Sequence, residues 1–248
     1  MAQVETTVQN RVARVRLNAP PLNVLTAALQ DEIREAFEAL RNQDDHNVVS
    51  LESALEGTFS AGADVAEHIG EDNCRRMLTS AHGLIAEVLR CPVPTVCTVN
   101  GPCLGGAFEL ALAFDQVVAG PDARFGVPEI TLGCLPPAAM VLMPHKLPPM
   151  LASELVQSGR VLSLHELNER GAGFGREPNL PRYADLPRGP LVEATRLLRA
   201  GAAERFLSAV GPIETAYMER LLTLHDAKEG PEAFLAKRKP DWDHVSYR

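Results

Sequence analysis

The chain opens on apolar positions that alternate. Val4, Thr6 and Val8 share one face, Gln9-Asn10 supplies turn residues, and Val12, Val15 and Leu17 resume the apolar run. A period of two marks a half-buried strand, so the spacing predicts a β-hairpin. Pro20 and Pro21 then stiffen the loop from Asn18 to Asn23, because each fixes φ. The period changes after Thr26, a good N-cap: Leu29, Ile33, Ala36, Phe37 and Leu40 recur at helical spacing. Val48-Val49-Ser50-Leu51 predicts a short strand and 54–64 a loop. Met77, Ala81, Leu84, Ile85 and Val88 predict a second amphipathic helix, broken by Pro92 and Pro94. Strands are expected at Thr95 to Val99 and Gln116 to Ala119, with a turn at Asn100-Gly101-Pro102 and a helix from Gly105 to Phe114 between them. Strand alternating with helix predicts α/β layers joined by crossovers.

Beyond residue 145 the pattern turns helical. Helices are predicted over 148–159 and, after a linker punctuated by Pro181, Pro187 and Pro190, over Leu191 to Val210, Ile213 to His225 and Pro231 to Lys237. The expected organisation is an α/β core over 1–190 and a helical region over 191–248. Hydrophobic residues make up 46% of the 248 positions and charged residues 23%, which supports a sizeable core and excludes global disorder. Asp and Glu outnumber Lys and Arg by 32 to 24, a formal net charge of −8, so the basic footprint of a nucleic-acid binder is lacking. No uncharged apolar run reaches the ~18–20 residues of a membrane span. The first residues carry no basic and apolar leader pattern, so a cytoplasmic protein is expected. The five cysteines include no C-x-x-C pair and read as free thiols; the seven histidines form no H-E-x-x-H, and no metal site is expected.

The sharpest anomaly is Glu109, the one charge in the apolar run Leu104 to Phe114. A buried carboxylate costs several kcal/mol or takes up a proton, and either outcome suits acid–base chemistry near neutral pH. A partly exposed or arginine-paired helix glutamate is the equally weighted alternative. Gly106 lies three residues earlier, on the same face at the helix start, where free N–H groups and the helix dipole can stabilise an oxyanion. A glycine pair that simply packs closely would look the same. The turn Ser60-Ala61-Gly62-Ala63-Asp64 could present a second amide at the carboxyl edge of the sheet, though most such turns are only turns. Glu129, in Phe125-Gly126-Val127-Pro128-Glu129-Ile130, is of interest as a partner for Glu109, since two carboxyls in different environments separate into acid and base. Gly171-Ala172-Gly173-Phe174-Gly175 is too closely spaced for a dinucleotide fingerprint and reads as a loop. Lys237-Arg238-Lys239 is a basic cluster able to hold a phosphate, or merely a solvated run.

Taken together these motifs resemble the crotonase (enoyl-CoA hydratase/isomerase) superfamily. The resemblance rests on Ser60 to Asp64, Val99 to Ala111 and Phe125 to Gly133 in this order and spacing, with Leu17 to Asn23 and Ala233 to Pro240 matching at either end. It implies a crotonase-like spiral of ββα units with a helical C-terminal extension. The Ala63 and Gly106 amides would form an oxyanion hole for a thioester carbonyl. Glu109 would activate water, and Glu129 would exchange the proton at the substrate carbon. Leu22, Val24, Ala61, Asp64, Val65 and Pro137 would border the acyl-CoA, and Lys237 and Lys239 would lie near CoA phosphates, in part from a neighbouring subunit. The family's chemistry needs no metal or redox cofactor, CoA being part of the substrate, and its chains assemble as homotrimers or dimers of trimers.

This chain also departs from the family pattern. Cys134-Leu135-Pro136-Pro137-Ala138-Ala139 replaces a glycine-rich stretch, and Pro137 has no N–H. Ala19 stands where a basic residue is common, and 166–190 match poorly. Pro-Pro-Ala-Ala here, with Pro20-Pro21-Leu22-Asn23 near the start, resembles hydratases of alicyclic dienoyl-CoA, whose type substrate is cyclohexa-1,5-diene-1-carbonyl-CoA. The leading expectation is therefore a hydratase with a cyclic dienoyl thioester as preferred substrate. Double-bond isomerisation, CoA-ester hydrolysis, and a non-catalytic acyl-CoA- or RNA-binding relative are the competing readings.

Overall fold

A computed structural model describes residues 3–246. The opening hairpin pairs β1 (Val4–Gln9) with β2 (Val12–Leu17), and its turn sits one residue later than predicted. Asn10 and Arg11 carry it with φ of 50° and 59°, the left-handed pair that matches strand twist. Thr26 caps α1 (Ala27–Arg41), its Oγ1 accepting from the Leu29 amide at 3.1 Å, and the predicted stripe of Leu29, Ile33, Phe37 and Leu40 is buried. β3 (Val48–Ser53), α2 (Glu71–Arg90) and β4 (Thr95–Val99) follow. Next come β5 (Pro102–Leu104), α3 (Gly106–Ala111), β6 (Gln116–Ala119) and β7 (Arg124–Gly126).

Five strands form one sheet in the order β1-β2-β3-β4-β6, parallel except for β1 at its edge. Parallel neighbours need crossovers, and α1 and α2 supply them between β2 and β3 and between β3 and β4. After β7 come α4 (Pro137–Lys146), α5 (Pro149–Ser158), β8 (Val161–Ser163) and α6 (Leu164–Glu169). β5, β7 and β8 make a second sheet. The chain closes with α7 (Leu180–Ala184), α8 (Arg188–Leu198), α9 (Ala202–Glu219) and α10 (His225–Leu235).

Several expectations need correction. The helix predicted from Gly105 to Phe114 stops at Ala111, and Pro102–Leu104 is a short strand, not only a turn. The proline-marked stretch 181–190 is helical in two pieces, because Pro181 lies in the first turn of α7 and Pro190 in that of α8, where a missing N–H costs nothing. The break between the last long helices falls at 199–201, with Gly201 at φ 68°, while Pro212 stays inside α9. The last helix begins at His225 and carries Pro231 within it. The helix α4 was missed because its prolines and small residues give almost no amphipathic period.

Helices beyond residue 190 share the core of the sheet: Ala203, Phe206 and Val210 join the cluster that holds Phe37, Leu51 and Phe108. Arg199 reinforces this join, donating to Cys91 O and Thr95 Oγ1, each at 2.8 Å, and pairing with Asp115. The loop at 171–175 sends Phe174 into a ring cluster with Phe108 and Phe125, at centroid distances of 6.2 and 5.3 Å, which backs α3 and β7 from behind. No helix among the described residues is long and apolar enough to cross a membrane.

Asn23 fixes the loop ahead of α1. It is fully buried at φ 46°, and its side chain accepts from Ala19 N at 2.8 Å while donating to Ser53 Oγ at 2.8 Å and Phe59 O at 2.9 Å. Removing three buried partners at once leaves donors and acceptors stranded. Asn23→Ala is expected to lose about 2–4 kcal/mol in urea unfolding. Asn23→Gly, which tolerates the backbone but restores none of the bonds, is expected to recover only a minor part.

Candidate active site

The α3 helix starts immediately after β5, so Gly106 and Glu109 point back toward the loop that follows β3. Gly105 makes this entry possible: it has φ 55°, and a Cβ there would lie 2.7 Å from Glu129 Oε1. Any larger residue would displace that carboxyl. A Cβ placed on Gly106 would sit 3.7 Å from the Ala63 amide nitrogen and 3.8 Å from Glu109 Oε2. The two backbone positions named from the sequence therefore flank one small space beside the first glutamate. Among the described residues, neither the Ala63 nor the Gly106 amide donates a hydrogen bond within the chain.

Glu109, Glu129, Ala63, Gly106 and Pro137 line one small cavity of about 30 Å³, with room for water. Its remaining wall is mainly apolar: Leu25, Met77, Leu78, Ala81 and Leu135. Both carboxyl groups are buried, and Glu129 lies in a 3-10 turn, Pro128–Leu132, with its head inside the protein.

The two groups are held differently. Glu109 Oε1 accepts from the Ala139 amide at 2.7 Å, in the first turn of α4. Burial pushes the Glu109 carboxyl up from the ordinary range, opposed by the Ala139 N–H, by positive charge on His82 and by the Ala138 N–H. Glu129 Oε2 is buried with no hydrogen-bond partner. Burial, and then the charge of Glu109 beside it, push this carboxyl well above the usual range.

Pro137 fills the first helical position of α4, where an N–H has no intrahelical partner, and leaves the next amides free to face Glu109. Of the other candidates, Leu22 and Ala61 are exposed and linked, the Ala61 amide donating to Leu22 O at 3.0 Å. Val24, Asp64 and Val65 are half-buried around the same turn, with Asp64 Oδ1 capping the Ala66 amide at 2.9 Å. Lys237 and Lys239 are exposed on the tail after α10 and are not brought to this cavity, while Arg238 between them pairs with Glu229.

Three polar side chains on the cavity wall escaped the sequence analysis: Gln30, His68 and His82. Gln30 Nε2 donates to Leu25 O at 2.8 Å. His68 Nδ1 meets the Tyr217 hydroxyl at 2.9 Å, and burial pushes His68 down to about 4. A signal for His82 was present: it lies four residues after Leu78 and three before Ile85, on the apolar stripe of α2.

Comparison with known proteins agrees with this architecture. The sequence model described as "Enoyl-CoA hydratase/isomerase" matches residues 7–174. A cyclohexa-1,5-dienecarbonyl-CoA hydratase of Thauera aromatica is 36% identical over 241 residues, covering 93% of this chain and 92% of that protein. A carnitinyl-CoA dehydratase of Salmonella arizonae is 31% identical over 248 residues, covering 93% and 94%. Among solved structures, an enoyl-CoA hydratase from Bacillus halodurans superposes with a TM-score of 0.85 at 22% identity, covering 94% of this chain and all of that one. One from Mycobacterium avium subsp. paratuberculosis gives 0.83 at 24% identity, covering 97% and 98%. The crotonase-like spiral expected from the motifs is the observed fold, and the chain belongs to the enoyl-CoA hydratase/isomerase family.

Proposed function

We propose that this chain is a hydro-lyase that adds water to an α,β-unsaturated acyl-CoA thioester, with a cyclic dienoyl thioester as its preferred substrate. The observation that carries the reading is one small cavity walled by Glu109, Glu129 and the residues of two undonated amides, Ala63 and Gly106. The thioester carbonyl would sit between those amides. Glu109, whose Oε1 accepts from the Ala139 amide, takes a proton from water while the oxygen bonds to the β-carbon. The electron pair moves onto the carbonyl oxygen, where two preorganised donors contribute a few kcal/mol. Glu129, whose carboxyl burial and the neighbouring Glu109 push well above the usual range, then gives a proton to the α-carbon. The net change is one added water. The glutamates reset when a proton passes from Glu109 back to Glu129 through solvent. This chemistry calls for no cofactor beyond the CoA of the substrate.

The preference for a cyclic dienoyl group is supported by the α4 entry. Pro137 at the first helical position of α4 forms a rigid part of the wall, with Leu135, Leu25 and Met77 supplying apolar surface for a compact ring. The name of the Thauera aromatica relative points the same way. We further propose assembly as a homotrimer or dimer of trimers through the C-terminal region. Leu198 and Phe234 there are 85% and 56% exposed, and assembly would let Lys237 and Lys239 reach a neighbour's CoA phosphates.

Purified protein is expected to hydrate cyclohexa-1,5-diene-1-carbonyl-CoA faster than crotonyl-CoA, with products that gain the mass of one water and retain CoA. A preference for crotonyl-CoA overturns the cyclic assignment; release of free CoA or a product of unchanged mass overturns hydration. Glu109→Gln and Glu129→Gln should each lower kcat at least ~100-fold, with a smaller change in KM. Wild-type rates in both variants would remove the glutamates from the mechanism.

The raised Glu129 carboxyl also fixes the sign of a stability effect. Because its folded-state affinity for a proton exceeds its unfolded one, its contribution is most favourable at acidic pH and is lost as pH rises through the folded value. Glu129→Gln, which cannot ionise, is expected to raise Tm relative to wild type, by a margin that widens from mildly acidic to alkaline pH in a thermal scan. A constant margin would place the effect in packing, not in charge.

A further inference from the structure

A third ionisable group faces the reaction cavity and is held by a device of its own. His82 is buried on α2 and lies on the cavity wall with Glu109. Its Nδ1 meets Glu214 Oε1 from α9, and its ring stacks edge-on against Phe206 of the same helix, with centroids 5.8 Å apart and an interplanar angle of 77°. Both ring contacts come from one helix, so the imidazole is fixed in plane and in tilt. With Nδ1 occupied by a carboxylate, Nδ1 is the nitrogen that carries hydrogen, and Nε2 is the end left for the cavity side. Glu214 is then the carboxylate that orients the ring.

We propose that His82, oriented by Glu214, is a positioning residue for the hydration reaction that makes Glu109 the base and Glu129 the acid. The inference rests on the roles of the two glutamates proposed above and adds what distinguishes them. Two carboxyls around one small cavity cannot both be ionised, and something must decide which one holds the proton. The first-turn amides of α4 favour charge on Glu109. A cation at His82 acts in the same direction on Glu109, whereas Glu129 has only Glu109 as its charged neighbour of consequence.

The remaining polar groups around the cavity do not compete. His68, from the 3-10 turn Val65–His68, is turned to Tyr217 and is neutral near pH 7. Gln30 from α1 carries no charge, and Arg34 of α1, which approaches α2 at Gly83, is engaged with Asp31 and Glu38. Pro137 of α4 carries none either.

The arrangement is tested by titrating the Glu109 carboxyl directly, in protein labelled with ¹³C-glutamate and assigned with Glu109→Gln. His82→Gln is expected to move the Glu109 midpoint up by about one pH unit. Glu214→Gln, which alters a side chain 35% exposed and outside the cavity, should move it up by less. In turnover with the thioester the wild type hydrates, the acid limb of kcat/KM should follow by the same amounts. His82→Gln would then be about tenfold slower on that limb and converge on wild type at alkaline pH. An unmoved midpoint and acid limb in both variants overturn the proposal, as does a rate loss equal at every pH, which is the mark of a purely structural role. Should His82→Gln fail to fold, Glu214→Gln decides alone. Because the titration needs no turnover, a protein that hydrates no thioester would overturn the hydratase reading while the Glu109 shift still reports on His82.

Discussion

Two carboxyl groups are buried against one small cavity, and much of the surrounding structure follows from that constraint. Moving an ionised carboxylate out of water is expensive, and a second one beside it more so. The protein meets the cost asymmetrically. Glu109 is presented to the start of α4, where the Ala139 N–H at 2.7 Å replaces part of its hydration. Glu129 is given no such donor at Oε2. Burial pushes both carboxyls up, and the Ala139 N–H opposes that push at Glu109. The difference between the two carboxyls thus depends in part on the start of α4, which faces Glu109 and not Glu129 Oε2.

That opposition requires exact placement of short elements, which explains the long supporting apparatus. α3 is only Gly106–Ala111 and could not hold its register alone. Phe108 anchors it to Phe125 of β7 at 5.1 Å between centroids, and Phe174 closes the cluster from the loop after α6. Asn168 holds Phe174 by both backbone atoms, accepting from its N–H at 2.8 Å and donating to its carbonyl at 2.9 Å. A stretch that looks featureless in sequence therefore steadies the helix bearing the catalytic candidate. Gly105 is the complementary device, since no side chain fits between the turn and Glu129.

Much of this was legible in the sequence where a period or a lone anomaly carried it. The strands of the main sheet, α1 with its Thr26 cap and most of α2 follow from spacing alone. Glu109 stood out because one charge interrupts an apolar run. The boundaries near residues 105, 181–190 and 199–212 were less legible, because proline and glycine act by position. Pro181 and Pro190 open helices, Pro212 sits inside one, and Gly201 ends a turn. The burial of Glu129 and the inward face of His82 depend on which elements pack together, and no local pattern records that. His82 falls on the α2 stripe in phase with Leu78 and Ile85, yet only the arrival of α9, 132 residues later in sequence, gives it a partner in Glu214.

The proline at the start of α4 reads differently once the helix is seen. Replacing a glycine-rich stretch by Pro136-Pro137 suggested the loss of an amide contact. The lost N–H belongs to a position that has no intrahelical acceptor, so the helix itself gives up nothing. What proline adds is a fixed φ at the first turn, and with it a fixed direction for the Ala138 and Ala139 amides. Those are the amides that face Glu109. Rigidity at Pro137 and the hydrogen bonding of Glu109 are then linked. A change at Pro137, which lines the cavity, would therefore also move the amides that face Glu109.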